Sequence, residues 1–457
     1  MTHLPFPMLG RTAVGLSALL LAGCASFSSD GGLGDVSSLT QNRTGQAVQF
    51  KKATTESDAK VQALLDKPLS VDAAVQIALL NNPALKVSFA ELGIAEADFV
   101  QAGRMRNPSF SFGRVSGGGD AEIDRSVMFD IAGLLTLPVR TRIEKRRFEQ
   151  VKLLTAAQAV QLASETRRAY FTAVAAAQSA AFAEQVRAAA DASSDLAERM
   201  AQVGNWSKLD QARERAFYQD AVTQLARTKH EALASREQLV RLLGLWGAQQ
   251  QFALPDRLPD LPAQPQEIKN AEAQAMSQRL DVLAARRDSE STASALGLTK
   301  ATAFINVFDA GYQNKSTTGL PRENGYEISL ELPVFDWGGA RVAKAQSLYM
   351  QSVYRTTDIA VRARSEVREA YSAYRTTYDI ARHYRDDVVP LRKKISDEVM
   401  LRYNGMLASV FELLADSREQ LASVNTAIET QRDFWIAETK LQTAINGGAN
   451  TDTRTMP

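Results

Sequence analysis

Apolar positions along the chain change period in a fixed order, and that order occurs twice. Val71, Ala74, Val75, Ala78 and Leu79 recur at helical spacing behind Ser70, a good helix N-cap. Asn81-Asn82-Pro83 interrupts, and a further helix is expected to run to about Arg104. Alternation follows: Ser109-Phe110-Ser111-Phe112-Gly113 reads as a strand, Gly117-Gly118-Gly119-Asp120 as a loop, and Ser126 to Ile131 as a second strand. After Leu137-Pro138-Val139 there is no proline until Pro255, and Gly204 is the one credible break before Gly244. The span Val139 to Val203, about 65 residues, would make a rod of roughly 100 Å at about 1.5 Å per residue. In the second half Phe304 to Tyr312 alternates, Asn314 to Thr318 reads as a polar loop, and Tyr326 to Leu332 alternates again. A second rod is expected after Leu332-Pro333-Val334, turning at Asn404-Gly405 and kinked by Pro390 near Val389.

In the last strand Tyr326, Ile328, Leu330 and Leu332 share one face, and Glu327, Ser329 and Glu331 the other. A transmembrane barrel with a wet lumen needs that pattern, and so does a soluble sandwich with one buried face. Four strands cannot close a barrel, because the smallest have eight and an open edge is not tolerated in lipid. Strands that span a membrane here would have to come from several chains.

The two halves repeat each other at marked positions. Leu137-Pro138-Val139 pairs with Leu332-Pro333-Val334 at an offset of 195, and Ala169-Tyr170 with Ala370-Tyr371 and Gly204 with Gly405 at 201. The fold class expected is mainly α with a small β part, built from duplicated repeats of two strands and a long helical hairpin. The repeats take residues 69–250 and 267–447, the Pro-rich stretch 251–266 joins them, 24–68 reads as a partly extended tether, and 448–457 as a flexible tail. Ala156, Ala157, Ala159, Ala163, Ala169, Ala173 and Ala175 to Ala177 would let neighbouring helices approach closely along a heptad-like seam.

Residues 1–23 carry one charge, Arg11, ahead of an apolar and small-residue run too short to span a membrane, and so read as an export signal. Lys and Arg total 53 against 52 Asp and Glu, so losing Arg11 leaves the remainder formally neutral, with no charge excess calling for nucleic acid. One cysteine, Cys24, excludes a disulfide framework. No catalytic constellation emerges: His230 and His383 stand apart, and the Gly117 to Gly119 run lies between strands rather than before a helix. Neither catalytic nor metal-ligating residues are assigned, and no cofactor is expected.

Leu21-Ala22-Gly23-Cys24 resembles a bacterial lipobox. That resemblance implies cleavage after Gly23 and acylation of Cys24, with Ala25 behind it consistent with the outer membrane. Together with the duplication, Asn82-Pro83-Ala84-Leu85 and Leu332-Pro333-Val334-Phe335-Asp336-Trp337-Gly338-Gly339 resemble the TolC family of outer-membrane efflux factors. The resemblance covers residues from about 69 to 447. It implies a homotrimer whose protomers each give four strands to a 12-stranded transmembrane β-barrel, continued by a periplasmic α-helical barrel. It also implies a periplasmic adaptor that docks at the helical tips and an inner-membrane pump of the RND type. The protein would then be lipid-anchored in the outer membrane, a passive exit duct for heavy-metal ions or drugs. The tip segments look closer to the heavy-metal branch. A non-pore periplasmic coiled-coil scaffold is the alternative; it explains the rods but not the strands.

The tips are Gly204-Asn205-Trp206-Ser207 and Gly405-Met406-Leu407-Ala408-Ser409. Each glycine is expected at positive φ, and Ser207 and Ser409 as N-caps of the return helices. Trp206, Met406 and Leu407 are apolar groups at an exposed reversal, and so candidates for docking the adaptor together with their neighbours, unless they fold back onto their own hairpins. Past the second tip, Glu412 and Asp416 share a helix face at i,i+4 and are the candidate gate; Arg402 and Arg418 are near enough in sequence to pair with them instead.

Overall fold

The computed structural model describes residues 26–48, 55–304 and 307–447. The export signal 1–23, Cys24 and the tail 448–457 lie outside the described residues. The chain folds as α1 (Leu33–Thr44), α2 (Thr55–Leu65), α3 (Val71–Asn81), α4 (Pro83–Ala102), β1 (Ser109–Gly117), β2 (Asp120–Asp130), α5 (Ile131–Gln202) and α6 (Lys208–Leu243). It continues with α7 (Ala271–Gln278), α8 (Leu280–Ala301), β3 (Phe308–Thr317), β4 (Glu323–Leu330), α9 (Gly339–His383), a π-helical turn over Tyr384–Val388, α10 (Val389–Asn404) and α11 (Val410–Asn446). The duplicated order expected from the sequence is present.

Boundaries differ from expectation where local chemistry overrides the pattern. Helix α5 begins at Ile131, not after Pro138, because the Asp130 carboxylate accepts the Gly133 N–H at 2.5 Å as an N-cap would. Pro138 therefore sits inside the helix. Its repeat counterpart Pro333 lies in an irregular connection closed by an Asp336–Gly338 turn, in which Gly338 N–H donates to Asp336 Oδ1 at 2.8 Å. The loop expected at 117–120 shrinks to a turn at Gly118-Gly119, both at positive φ, so β2 starts at Asp120. Residues 314–317, expected as loop, extend β3, while Glu331 and Leu332 fall outside β4. Antiparallel pairing with β2 and β4 supplies ladder bonds that outweigh the polar composition there.

One further expectation is corrected. The stretch 24–68, expected as a partly extended tether, holds α1 and α2, and Val36, Thr40 and Thr44 are buried. Arg167 donates to the Thr44 carbonyl at 2.9 Å, and Arg43 to the Gln278 carbonyl at 2.7 Å. The distortion expected near Val389 takes the form of a π turn that ends just before it, at Val388. The π turn Tyr384–Val388 absorbs the distortion, and α10 restarts with the proline in its first turn, where a missing N–H costs nothing.

The chain divides into two compact units. One comprises Met1–Asp35, Phe89–Thr155 and Leu283–Ile359 and contains a single antiparallel sheet in the order β1-β2-β3-β4. In it Lys152 bridges Asp35 at 2.8 Å and Glu149 at 2.9 Å; burial alone would lower the amine, but the two carboxylates outweigh it and hold its pKa above the ordinary value. Ser28 donates from its N–H and its hydroxyl to the Glu96 carboxylate at 2.7 and 2.5 Å.

The other unit comprises Val36–Ser88, Ala156–Val282 and Ala360–Pro457. Every alanine of the expected seam in α5 is buried except Ala177, which is half-buried. Its aromatic core gathers Leu261, Tyr374, Tyr378, Phe434, Leu441 and Ile445. The Pro-rich linker is pinned onto this core: Tyr378 Oη donates to the Ala263 carbonyl at 2.9 Å, and Trp435 Nε1 to that of Pro259 at 3.0 Å. Buried Tyr170 donates to the Leu69 carbonyl at 2.8 Å, and burial pushes its phenol up to about 12.

Candidate functional site

Two regions carry the candidate function: the sheet in the first unit and the helical tips in the second. Strand register assigns every side chain of the sheet to a face. Phe110, Val127, Tyr312 and Tyr326 form one cross-strand row, and Phe129, Ala310 and Ile328 the next, with Phe308 and Leu330 beyond. All lie on one face, since directly paired residues point the same way. Toward the far turns the same face becomes polar, with Arg114, Arg125, Asn314, Ser316 and Asn324 beside Phe112 and Ile123. The opposite face carries Ser109, Ser111, Glu122, Asp124, Ser126, Asp130, Asp309, Gln313, Lys315, Thr317, Glu323, Glu327 and Ser329, with Val115 and Met128 as its large apolar members. Lys315 is paired with Glu122 at 2.5 Å.

Among the described residues nothing covers the apolar face. β1 and β4 are exposed throughout, and so are the large apolar side chains Phe110, Phe112, Tyr326, Ile328 and Leu330. The outer backbone edges of β1 and β4 carry no ladder partner among the described residues. The strands hold 9, 11, 10 and 8 residues, close to the roughly 9–11 that a tilted strand needs to cross hydrocarbon. Just beyond β4, Phe335 is 99% exposed and Trp337 largely so.

At the first tip Gly204 takes φ +80°, and Asn205 N–H donates to the Met200 carbonyl at 2.9 Å, closing α5 as a Schellman-type cap. At the second, Gly405 does not hold the positive φ: its φ is −80°, and Met406 takes +61°. The equivalent closing bond, Leu407 N–H to the Arg402 carbonyl at 2.8 Å, shows that Met406, not Gly405, is the structural counterpart of Gly204. Ser207 and Ser409 cap α6 and α11 as expected, accepting from Asp210 N–H and Glu412 N–H, both at 3.2 Å.

The named tip residues are not all free. Trp206 is half-buried and stacks on Phe411, ring centroids 4.5 Å apart, tying the first tip to the second hairpin. Gly204, Asn205, Gly405 and Ser409 are exposed, and Met406 and Leu407 project at 93% and 82% exposure.

The candidate gate acids part company. Glu412 is exposed; Asp416 is half-buried, with Oδ2 closed off from solvent and without a hydrogen-bond partner. Neither nearby arginine pairs with them: Arg402 bonds Glu398 at 3.4 Å, and Arg418 reaches Glu214 on the other hairpin at 2.6 Å. Glu214, 3% exposed, also accepts from Ser193 Oγ at 2.7 Å, and the Arg418 guanidinium lies 4.2 Å over the Phe217 ring. This buried link was invisible in the sequence, where Glu214 and Arg418 are two among many helix charges. Its only signal is an acid falling on the buried face of α6.

No family model matches the sequence, and a search among curated proteins gives no match either. Solved structures do match by fold. CmeC, an outer-membrane channel of Campylobacter jejuni, is similar with a TM-score of 0.72 at 17% identity, covering 89% of this chain and 92% of CmeC. CusC, whose crystal structures address conformational changes accompanying folding and transmembrane channel formation, is similar at TM-score 0.68 and 18% identity, covering 83% and 92%. The open state of the MtrE outer-membrane channel of Neisseria gonorrhoeae gives 0.66 at 16%, covering 84% and 91%. The chain has the fold of these outer-membrane channels.

Proposed function

We propose that three copies of this chain form an outer-membrane exit duct, each giving its four-stranded sheet to one 12-stranded barrel. The sheet carries this reading. An uncovered apolar face suits lipid, an acidic and hydroxyl face suits a watery lumen, and two open edges suit pairing with the next copy. Exposed Phe335 and Trp337 at the helical end of the sheet suit the aromatic girdle at a lipid headgroup boundary. A lipid on Cys24 would hold the chain to the same membrane.

In this reading the helical hairpins continue the duct into the periplasm as an α-barrel. Gly204, Asn205, Trp206, Ser207, Gly405, Met406, Leu407 and Ser409 form tips that receive a periplasmic adaptor. Met406 and Leu407 offer the apolar contact, while Trp206 acts through its stack on Phe411. Asp416 and Glu412 serve the gate, and an inner-membrane pump of the RND type supplies the energy. The duct does no chemistry of its own and passes a heavy-metal ion or a drug. Its subunit count tests the reading: the detergent-solubilised protein should have the mass of three chains. A monomer that kept its full strand content in detergent would contradict it.

A further inference from the structure

At its far end, next to the two turns, the sheet sorts charge by side. Asp120, Glu122, Asp124 and Glu323 lie on the acidic face together with Lys315. Arg114 and Arg125 lie on the other face, the one that carries the apolar band. Among the described residues no carboxylate stands within ion-pair distance of either arginine. They are diagonal neighbours, since Arg125 pairs with Phe112 and Arg114 with Ile123. Diagonal neighbours stand about 7–8 Å apart, within the joint reach of two long side chains.

Arg125 is held in place while most of its donors stay open. Its Nη1 donates to Asn314 Oδ1 at 3.0 Å, and the guanidinium carbon lies 6.0 Å from the centroid of the exposed Phe112 ring. Asn314 Nδ2 and Tyr312 Oη both donate to Asn324 Oδ1 at 2.7 Å, so the network starts on the last aromatic row of the band. Arg114 is exposed and has the whole guanidinium available. The two arginines lie about 7 and 14 Å beyond that row along the strands, at roughly 3.4 Å per residue. Strand tilt brings these to roughly 5 and 10 Å of height, about the level of polar headgroups above hydrocarbon.

We propose that Arg114 and Arg125 together bind the phosphate of an anionic membrane lipid, in the leaflet farther from the helices. Guanidinium groups meet phosphate oxygens two at a time, a match that water or a neutral headgroup does not supply. The lipid source follows from continuity: the arginines stand directly above the apolar band, with Phe112 and Ile123 between them, so the acyl chains of the same molecule have a surface to lie on. This inference rests on the duct reading and deepens it by naming a lipid partner and the residues that select it.

Lipid retention by the detergent-solubilised full chain tests it, read by native mass spectrometry. The probes are phosphatidic acid, diacylglycerol with the same acyl chains, and inorganic phosphate. Particles of three chains should retain phosphatidic acid about tenfold more than diacylglycerol. Arg114→Gln with Arg125→Gln should bring the two lipids level, and Arg114→Gln alone, at an exposed side chain, should lose part of the preference. Lys315→Gln, on the opposite face, should change nothing. Equal retention of the two lipids by the parent would overturn the proposal, as would an undiminished preference in the double variant. A loss with Lys315→Gln as large as with the arginines would put the phosphate on the acidic face and overturn it too. Inorganic phosphate at the same concentration should not displace the lipid; if it does, the site takes a free anion and the choice of a lipid fails. Single-chain particles would sink the duct reading and this inference with it, whereas three-chain particles that fail the lipid comparison leave the duct reading standing.

Discussion

Met406 holds φ at +61°, a backbone state that costs an L side chain about 1–2 kcal/mol against the right-handed region. Its neighbour Gly405, at −80°, occupies ordinary space and gains nothing from being glycine. The two tips should therefore respond oppositely to similar substitutions. Gly204→Ala should destabilise the first hairpin end by about 1 kcal/mol and Met406→Gly stabilise the second by about as much, whereas Gly405→Ala should be nearly silent. Hydrogen exchange at the two tips reads all three; equal sensitivity at Gly204 and Gly405 would contradict the assigned turn. The sequence held the correct register, because Ser207 and Ser409, the two caps, are 202 apart and not 201. The single glycine drew the alignment one residue off. Glu438 gives a pH test. Burial raises its carboxyl above the ordinary 4.5, only partly opposed by Arg167. A raised folded pKa favours the folded state below about pH 4.5 and loses that contribution as pH rises through the folded value. Glu438→Gln should therefore raise the melting temperature at neutral pH and change little at pH 4; the reverse order would rule out the burial argument.

Elements meet at a duplicated joint that uses different chemistry in each repeat. α3 ends at Asn82, whose side chain donates to the Leu242 carbonyl at 2.9 Å beside Gly244. α7 ends at Arg279, nearly the same backbone conformation, whose guanidinium donates to the Ala444 carbonyl at 3.1 Å beside Gly447. Arg279 is buried and answers Asp281 and Glu366, each at 2.7 Å. Burial would lower its pKa, but the two carboxylates reverse that. Arg279→Ala should leave Asp281 buried without its partner and cost about 3 kcal/mol, most of it through Asp281, because Glu366 is half exposed. Denaturant unfolding measures it; a loss below about 1 kcal/mol would show that solvent replaces the arginine. Across the hairpins, Arg418→Ala should strand the Glu214 carboxylate in the same way and loosen the second hairpin from the first. Element order, strand count and both reversals were legible because period and proline placement are local signals. The helices in 24–68, the start of α5 and the Arg418–Glu214 link were not, because each depends on a partner distant in sequence or on a single capping bond.

At the scale of the whole molecule, no described residue covers the apolar part of the sheet or pairs its outer edges. In the duct reading lipid takes that face and further copies take the edges. The alternating strand pattern allowed a barrel or a sandwich equally; register decides for a sheet with no second layer packed on its apolar face among the described residues. The most direct test is single-channel conductance in planar bilayers, for the native protein and for a chain carrying Glu412→Ala and Asp416→Ala. The account expects discrete steps, more frequent or larger in the altered chain, from particles of three subunits. Silence from both proteins, at any voltage and with three subunits confirmed, would contradict a continuous duct and leave a scaffold that spans no pore.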